Sequence, residues 1–117
     1  MLVELAKNYY LGKIGSKRMN CAQSIIKAFE EQFKTEADLI ERFSSYGRGK
    51  APEGLCGAFY ATKYLSENSS EDINFAEFEK RFIEQAGSIK CTEIKAARRL
   101  SCPDCIGKCA EFLQKRI

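Results

Sequence analysis

The chain has 117 residues, 44% of them apolar and 30% charged, with six cysteines and neither histidine nor tryptophan. The missing histidine excludes Ser-His-Asp and Cys-His nucleophilic pairs, two-histidine zinc motifs, CxxCH haem attachment and an imidazole proton shuttle, so any chemistry runs on thiols, carboxylates, lysines, arginines or tyrosines. Nineteen basic against sixteen acidic residues leave a net charge of +3, too small and too evenly spread to point to nucleic acid or an anionic membrane as partner.

Apolar residues recur at helical spacing along almost the whole chain, with two prolines and no sustained period-two alternation, which predicts an all-α fold. One helical domain over residues 1–117, a compact bundle of about six to seven short helices, suits this length. The first helix runs over Leu2–Leu11, with Leu2, Leu5, Ala6 and Tyr9 inward. The second, Asn20–Lys34, carries Ile25, Phe29 and Phe33 at i, i+4 and i+8 with Ile26 beside them. A third covers Glu36–Tyr46 around Leu39, Ile40 and Phe43. Residues 47–54 are glycine-rich and read as a loop. Pro52 then suits the first turn of a fourth helix reaching Ser66, in which Gly57, Ala58 and Ala61 let its backbone lie close to a neighbour. Asp72 or Asn74 caps a fifth helix with Phe75, Phe78, Phe82 and Ala86 on one side and a stop at Gly87. A short helix follows over Ile89–Leu100 with Ser88 as cap. The last starts at Cys102 after Ser101 and turns Ile106, Ala110, Leu113 and Ile117 inward.

On this map Cys21, Cys56, Cys91 and Cys102 each fall near the start of a different helix. Unpaired N–H groups and the positive end of the helix dipole favour a thiolate there. Four thiolates presented from four helix starts are what an iron–sulfur cluster or an all-cysteine zinc site requires. Cys21, Cys56 and Cys91 are also spaced by 35 residues twice, so that each block opens on cysteine and continues as helix, loop, helix. Lys17, Arg18, Arg48, Lys50, Lys90, Arg98 and Arg99 lie just upstream of these cysteines, placed to balance negative charge. Against this stands a packing role, since an unliganded cysteine behaves as a small buried hydrophobe.

The last helix adds Cys102-Pro103-Asp104-Cys105, a C-P-x-C at a helix start, and Cys102, Cys105 and Cys109 share one face at i, i+3 and i+7. Such a start suits thiol–disulfide exchange, although the βαβ setting of a thioredoxin-like domain is missing. Cys105 and Cys109 either extend the site or pack. Gly47 and Gly49 with Arg48 and Lys50 lack a P-loop or dinucleotide fingerprint and read as a loop approaching the cysteines. Glu30-Glu31 and Glu71-Asp72 read as solvated faces.

Asn20-Cys21-Ala22, Gly54-Leu55-Cys56-Gly57-Ala58, Ala86-Gly87-Ser88-Ile89-Lys90-Cys91 and Cys102 followed by Ile106, Ala110 and Leu113 together resemble a family of small redox-active proteins labelled by the string C, GCAxxG, C, C. Its middle element is usually written CGAxxG, and Ala61 stands here where the last glycine would be. The resemblance implies a helical protein with a redox role, Cys21, Cys56, Cys91 and Cys102 as functional residues, and frequent occurrence near transport functions. A similar module is fused to a multihaem domain in split-Soret cytochromes, where it is associated with an iron–sulfur centre.

Two main readings stand. In one the chain is an oxidoreductase or electron carrier whose four cysteines bind an iron–sulfur cluster or zinc and which passes electrons to a separate redox partner protein. In the other it binds no cofactor and pairs among Cys56, Cys91, Cys102 and Cys105 cycle between thiol and disulfide. A third reading is a helical interaction module linked to a transporter, its cysteines forming core. A homodimer sharing one site is a further arrangement the pattern allows. No run reaches the ~18 apolar residues of a membrane span and residues 1–15 lack a signal-peptide pattern, so the expected address is the cytoplasm, where thiols stay reduced, with no stable membrane insertion.

Overall fold

The structure, a computed structural model, describes residues 2–13, 19–36, 38–47, 50–68 and 74–115. Seven α-helices and no strand lie among them: α1 Leu2–Leu11, α2 Cys21–Phe33, α3 Leu39–Arg42, α4 Gly57–Glu67, α5 Phe75–Ala86, α6 Cys91–Ala97 and α7 Cys102–Gln114. The all-α expectation holds. None of these helices is long and apolar enough to cross a membrane.

Helix α2 starts where it does because the Asn20 side chain accepts a hydrogen bond from the Gln23 N–H at 2.7 Å, while the Gln23 side chain accepts one from the Asn20 N–H at 3.1 Å. This capping box satisfies two donors that would otherwise be left over. A second capping box, between Ser101 and Asp104, starts α7 with Pro103 in its first turn. Asn74 caps α5, and Gly87 ends it at φ +92°, a conformation that suits glycine. Of the earlier cap candidates, Asp72 lies outside the described residues, as does the inward position expected for Ile117.

Three boundaries differ from the expected ones. Helix α3 is a single turn, Leu39–Arg42, rather than Glu36–Tyr46, and irregular turns follow through Phe43 and Tyr46. Helix α4 opens at Gly57 instead of Pro52. Pro52–Gly54 form a lone 3-10 turn with Glu53 and Gly54 both at positive φ, and Leu55 and Cys56 then run extended. In that extended stretch Leu55 forms an isolated antiparallel bridge with Lys90, and the Cys56 N–H donates to the Ile89 carbonyl at 2.8 Å. The same bridge holds Ile89 and Lys90 out of helical geometry, so α6 starts at Cys91 and not at Ile89. Ser88 therefore does not cap α6. Its hydroxyl accepts from the Lys90 N–H and donates to Glu93.

Helix α2 lies against α4 and α1, and α7 packs on α1 and α4. Their meeting faces bury Ile25, Ile26, Phe29, Ala58, Phe59, Ala61, Ile106 and Leu113. Phe59, Phe75, Phe78, Phe82 and Phe112 stack at 4.4 to 6.1 Å between ring centroids to fix α5 onto α4 and α7. Such tilted, stacked and edge-on ring pairs contribute beyond the area they bury. A second aromatic group, Phe43, Tyr46, Tyr60 and Tyr64, holds the 43–46 turn against α4.

Candidate functional site

A cavity of about 800 Å³ opens where the starts of α2, α4, α6 and α7 meet. Cys21, Cys56, Cys91, Cys102 and Cys105 all line it. Buried Cys56, Gly57, Ile94 and Cys105 form its floor, and exposed Lys95, Arg98, Arg99, Ser101 and Asp104 form its rim. The four cysteines singled out at helix starts therefore do come to one place, although they are 81 residues apart at the extremes.

Three of the thiols form a row. The Cys21 thiol lies beside that of Cys56, and the Cys56 thiol beside that of Cys105, each pair close enough for one thiol to act on the other. The N–H groups of Ala22 and Ala58, in the first turns of α2 and α4, favour the Cys21 thiolate, and the Phe59 N–H favours that of Cys56. Gly57 is what allows this approach. A Cβ there would stand 2.5 Å from Cys21 Sγ, 2.9 Å from the Tyr46 carbonyl oxygen and 3.2 Å from the Ala22 nitrogen. The Cys-Gly-Ala element thus has a physical reason: its glycine is the bed on which the sulfur of another helix lies.

Asn20, the residue before Cys21, ties the start of α2 to the turn after α3. Besides capping α2, its Nδ2 donates to the carbonyls of Phe43 at 2.9 Å and Ser44 at 3.0 Å, and the Gln23 amide donates to the Ile40 carbonyl. Gly47 clears room for this clamp, since a Cβ there would come within 2.9 Å of Asn20 Cβ. Cys91 and Cys102, the first residues of α6 and α7, are half-buried, and both Cys102 and Cys21 are near enough to Cys91 to disfavour its thiolate. Cys109 lies deeper, fully buried beside the Thr62 hydroxyl, and does not line the cavity.

The thiols do not behave as helix starts alone would dictate. Hydrogen bonding to Cys105 and burial push the Cys56 thiol up to about 12. The Cys21 thiol is raised further by its hydrogen bond to Cys56 and by burial, and burial raises Cys91 and Cys109. The N–H groups act in the thiolate's favour, as does Lys95 on Cys91, but losing water and facing a second thiol outweigh them. Cys21, Cys56, Cys91 and Cys109 are therefore held toward the neutral thiol.

Of the basic residues expected to balance charge, Arg98 and Arg99 reach the rim, whereas Lys50 and Lys90 do not line the cavity, and Lys17, Arg18 and Arg48 lie outside the described residues. Lys95 was missed. Its position one turn after Cys91 on a short helix was the signal available. Gln23 was also missed, although Asn20 three residues before it is a capping-box spacing.

A family model described as "Putative redox-active protein (C_GCAxxG_C_C)" matches residues 19–116, which include the capping Asn20 and all six thiols. The chain belongs to this family. Comparison with curated proteins and with solved structures returns no match. Membership makes the protein one of a redox-active class.

An iron–sulfur cluster or a metal suits this site by its donors: five thiols, backbone N–H groups aimed at two of them, and cations on the rim. In the geometry described, no three cysteine or carboxylate side chains among the described residues converge closely enough to hold a metal ion. The donor chemistry fits the group, and the ligand shell is not preassembled.

Proposed function

We propose that the protein is an electron carrier that holds an iron–sulfur cluster in this cavity through Cys21, Cys56, Cys91 and Cys102. The supporting observation is that four cysteines from four different helix starts, remote in sequence, line a single cavity. Zinc would suit the same thiols but has no redox chemistry, which does not accord with a redox-active family. When bound, the cluster supplies reversible one-electron transfer. The chain supplies the rest: thiols that surrender their protons on binding, N–H groups from α2 and α4 that offset the resulting charge, and a floor of Ile94, Cys56 and Cys105 that keeps bulk water from the sulfurs.

Anaerobic purification with iron and sulfide analysis and an absorption spectrum tests this. Stoichiometric iron and sulfide, lost in Cys21→Ala, Cys56→Ala, Cys91→Ala or Cys102→Ala, are the expected result. A colourless, iron-free protein after anaerobic reconstitution would sink the reading. The Cys21, Cys56, Cys105 row favours one second reading, a metal-free thiol–disulfide cycle. Mild oxidation followed by peptide mapping distinguishes it, since it requires a defined disulfide within that row and a two-electron midpoint.

A further inference from the structure

The cavity rim carries an imbalance of charge that the redox reading does not itself use. Lys95, Arg98 and Arg99 are exposed on it and face one carboxylate, Asp104. That carboxylate is engaged locally: it accepts the Ser101 N–H at 3.1 Å to start α7, which also holds it below the usual carboxylate range. Away from the cavity, four cations join ion pairs, while others among the described residues, Lys80 and Lys108 included, do not. Lys27, Arg42, Lys63 and Arg81 are all in ion pairs, with Glu30, with Glu36 and Asp38, with Glu67 and with Glu77. Among the described residues neither Lys95, Arg98 nor Arg99 joins an ion pair. The Arg99 guanidinium is steadied by donating to the Glu84 carbonyl at 3.2 Å, which positions its charge without cancelling it. Arg98 sits in the left-handed region at φ +55°, at the turn that joins the two cysteine-bearing helices α6 and α7.

Three cations against one locally engaged carboxylate line the opening at which Cys91 and Cys102 stand, on a chain whose net charge is only +3. An anionic surface brought to this face meets an attractive field and lands over the half-buried thiols. Charge complementarity of this kind sets encounter rate and orientation in weak, short-lived complexes, which is what an electron carrier needs in order to turn over.

We infer that the Lys95, Arg98, Arg99 rim is the docking face for an acidic electron-transfer protein, which would exchange electrons over the cavity mouth. This rests on the electron-carrier reading for its purpose, but docking can be measured without it. The partner's cofactor is the other half of the couple: one electron leaves it as one enters the site, and no bond to a substrate is made.

The probe is a small acidic ferredoxin, with a basic cytochrome c as the control of opposite charge, and binding is followed by calorimetry and by backbone amide shifts at low and high ionic strength. The expected result is binding of the acidic probe alone, weakened about tenfold or more by salt. Shifts should centre on the α6–α7 turn. Lys95→Glu with Arg98→Asp should abolish it, aspartate being tolerated at a left-handed position. The same change in charge placed on Lys63 and Lys80 should leave it largely intact. Absence of salt-dependent binding, equal binding of both probes, or equal loss in the two double variants overturns the inference. Iron and sulfide analysis of the same samples separates the two ideas. A loaded protein that ignores the acidic probe sinks the docking face alone, while an iron-free protein that still docks it sinks the cluster reading alone.

Discussion

The inner and outer walls of the cavity are built differently. On the inner wall, Cys21, Cys56 and Cys105 are held by α2, α4 and α7, the described helices with the most buried residues, with Gly57 bedding the sulfur of Cys21 and Asn20 tying the start of α2 to the 43–44 carbonyls. On the outer wall, Cys91 leads a seven-residue helix with no side-chain cap, whose one buried residue is Ile94, bounded by left-handed residues at Gly87 and Arg98. Its connection to the inner wall is the Leu55–Lys90 bridge and the Cys56 hydrogen bond to Ile89. The lesson is that the two walls of one thiol cavity can differ in kind: one is fixed by side-chain packing, and the other hangs on a few main-chain hydrogen bonds.

The sharpest way to break this comparison is Gly57→Ala. Two of the three atoms its Cβ would meet are backbone, so the inner wall must move, and we expect a loss of about 3 kcal/mol in urea unfolding together with loss of iron binding. Gly107→Ala is the control, because its Cβ would meet only the flexible end of Lys7, at 2.8 Å. A similar cost at both sites would remove the special status of Gly57. Next in size is Asn20→Ala, which removes a helix cap and two hydrogen bonds to the 43–44 carbonyls. It should cost about 2 kcal/mol, measured by the same unfolding experiment.

Cysteine substitutions sharpen the contrast further. Cys56→Ala, at 7% exposure, should cost the metal-free protein about 1 kcal/mol, whereas Cys91→Ala should be almost neutral, and either should abolish iron loading. If Cys91→Ala destabilised the metal-free fold as much as Cys56→Ala, the two walls would be equally built.

The smallest effect is in alkali. The Cys56 thiol is raised from 9.0 to about 12 in the fold, so the unfolded chain releases its proton first. Stability from this group is fully present below pH 9 and is lost as pH rises from there toward 12. Cys21 and Cys109 act in the same direction. Urea midpoints under reductant between pH 7.5 and 10.5 should fall, and fall less steeply in Cys56→Ala. For a loaded site the sign is opposite: because protons leave on binding, affinity for added metal should rise with pH.

Much of this was legible beforehand because helices declare themselves locally. Apolar spacing marked α1, α2, α5 and α7, and Asn74, Gly87 and Ser101 marked their ends. What was not legible depends on contacts between distant residues. The stretch before Cys56 has a proline suited to a helix start, yet it runs extended because Lys90, 35 residues later, bridges to Leu55. Helix α3 shrank to one turn where Asn20 and Gln23 draw the carbonyls of Ile40, Phe43 and Ser44 toward α2. That Cys21, Cys56, Cys91 and Cys102 line one cavity accords with their shared helix-start pattern, but the raised thiols of Cys21, Cys56 and Cys91 could not be read from it, since desolvation and a neighbouring sulfur are products of the assembled fold. Cys105 was marked by its C-P-x-C spacing, but which thiol it meets was not. Only the packing of α7 on α4 brings it to Cys56.

The short bridge between residues 55–56 and 89–90 works as a caliper. Its hydrogen bonds are main chain to main chain, so side chains at Leu55, Ile89 and Lys90 can vary while the distance between the two cysteine-bearing segments stays put. Residue count is what it reads. A single residue inserted between Lys90 and Cys91 would leave every helix able to form, yet turn Cys91 away from Cys21 and Cys102, giving a correctly folded protein with a misaligned cavity.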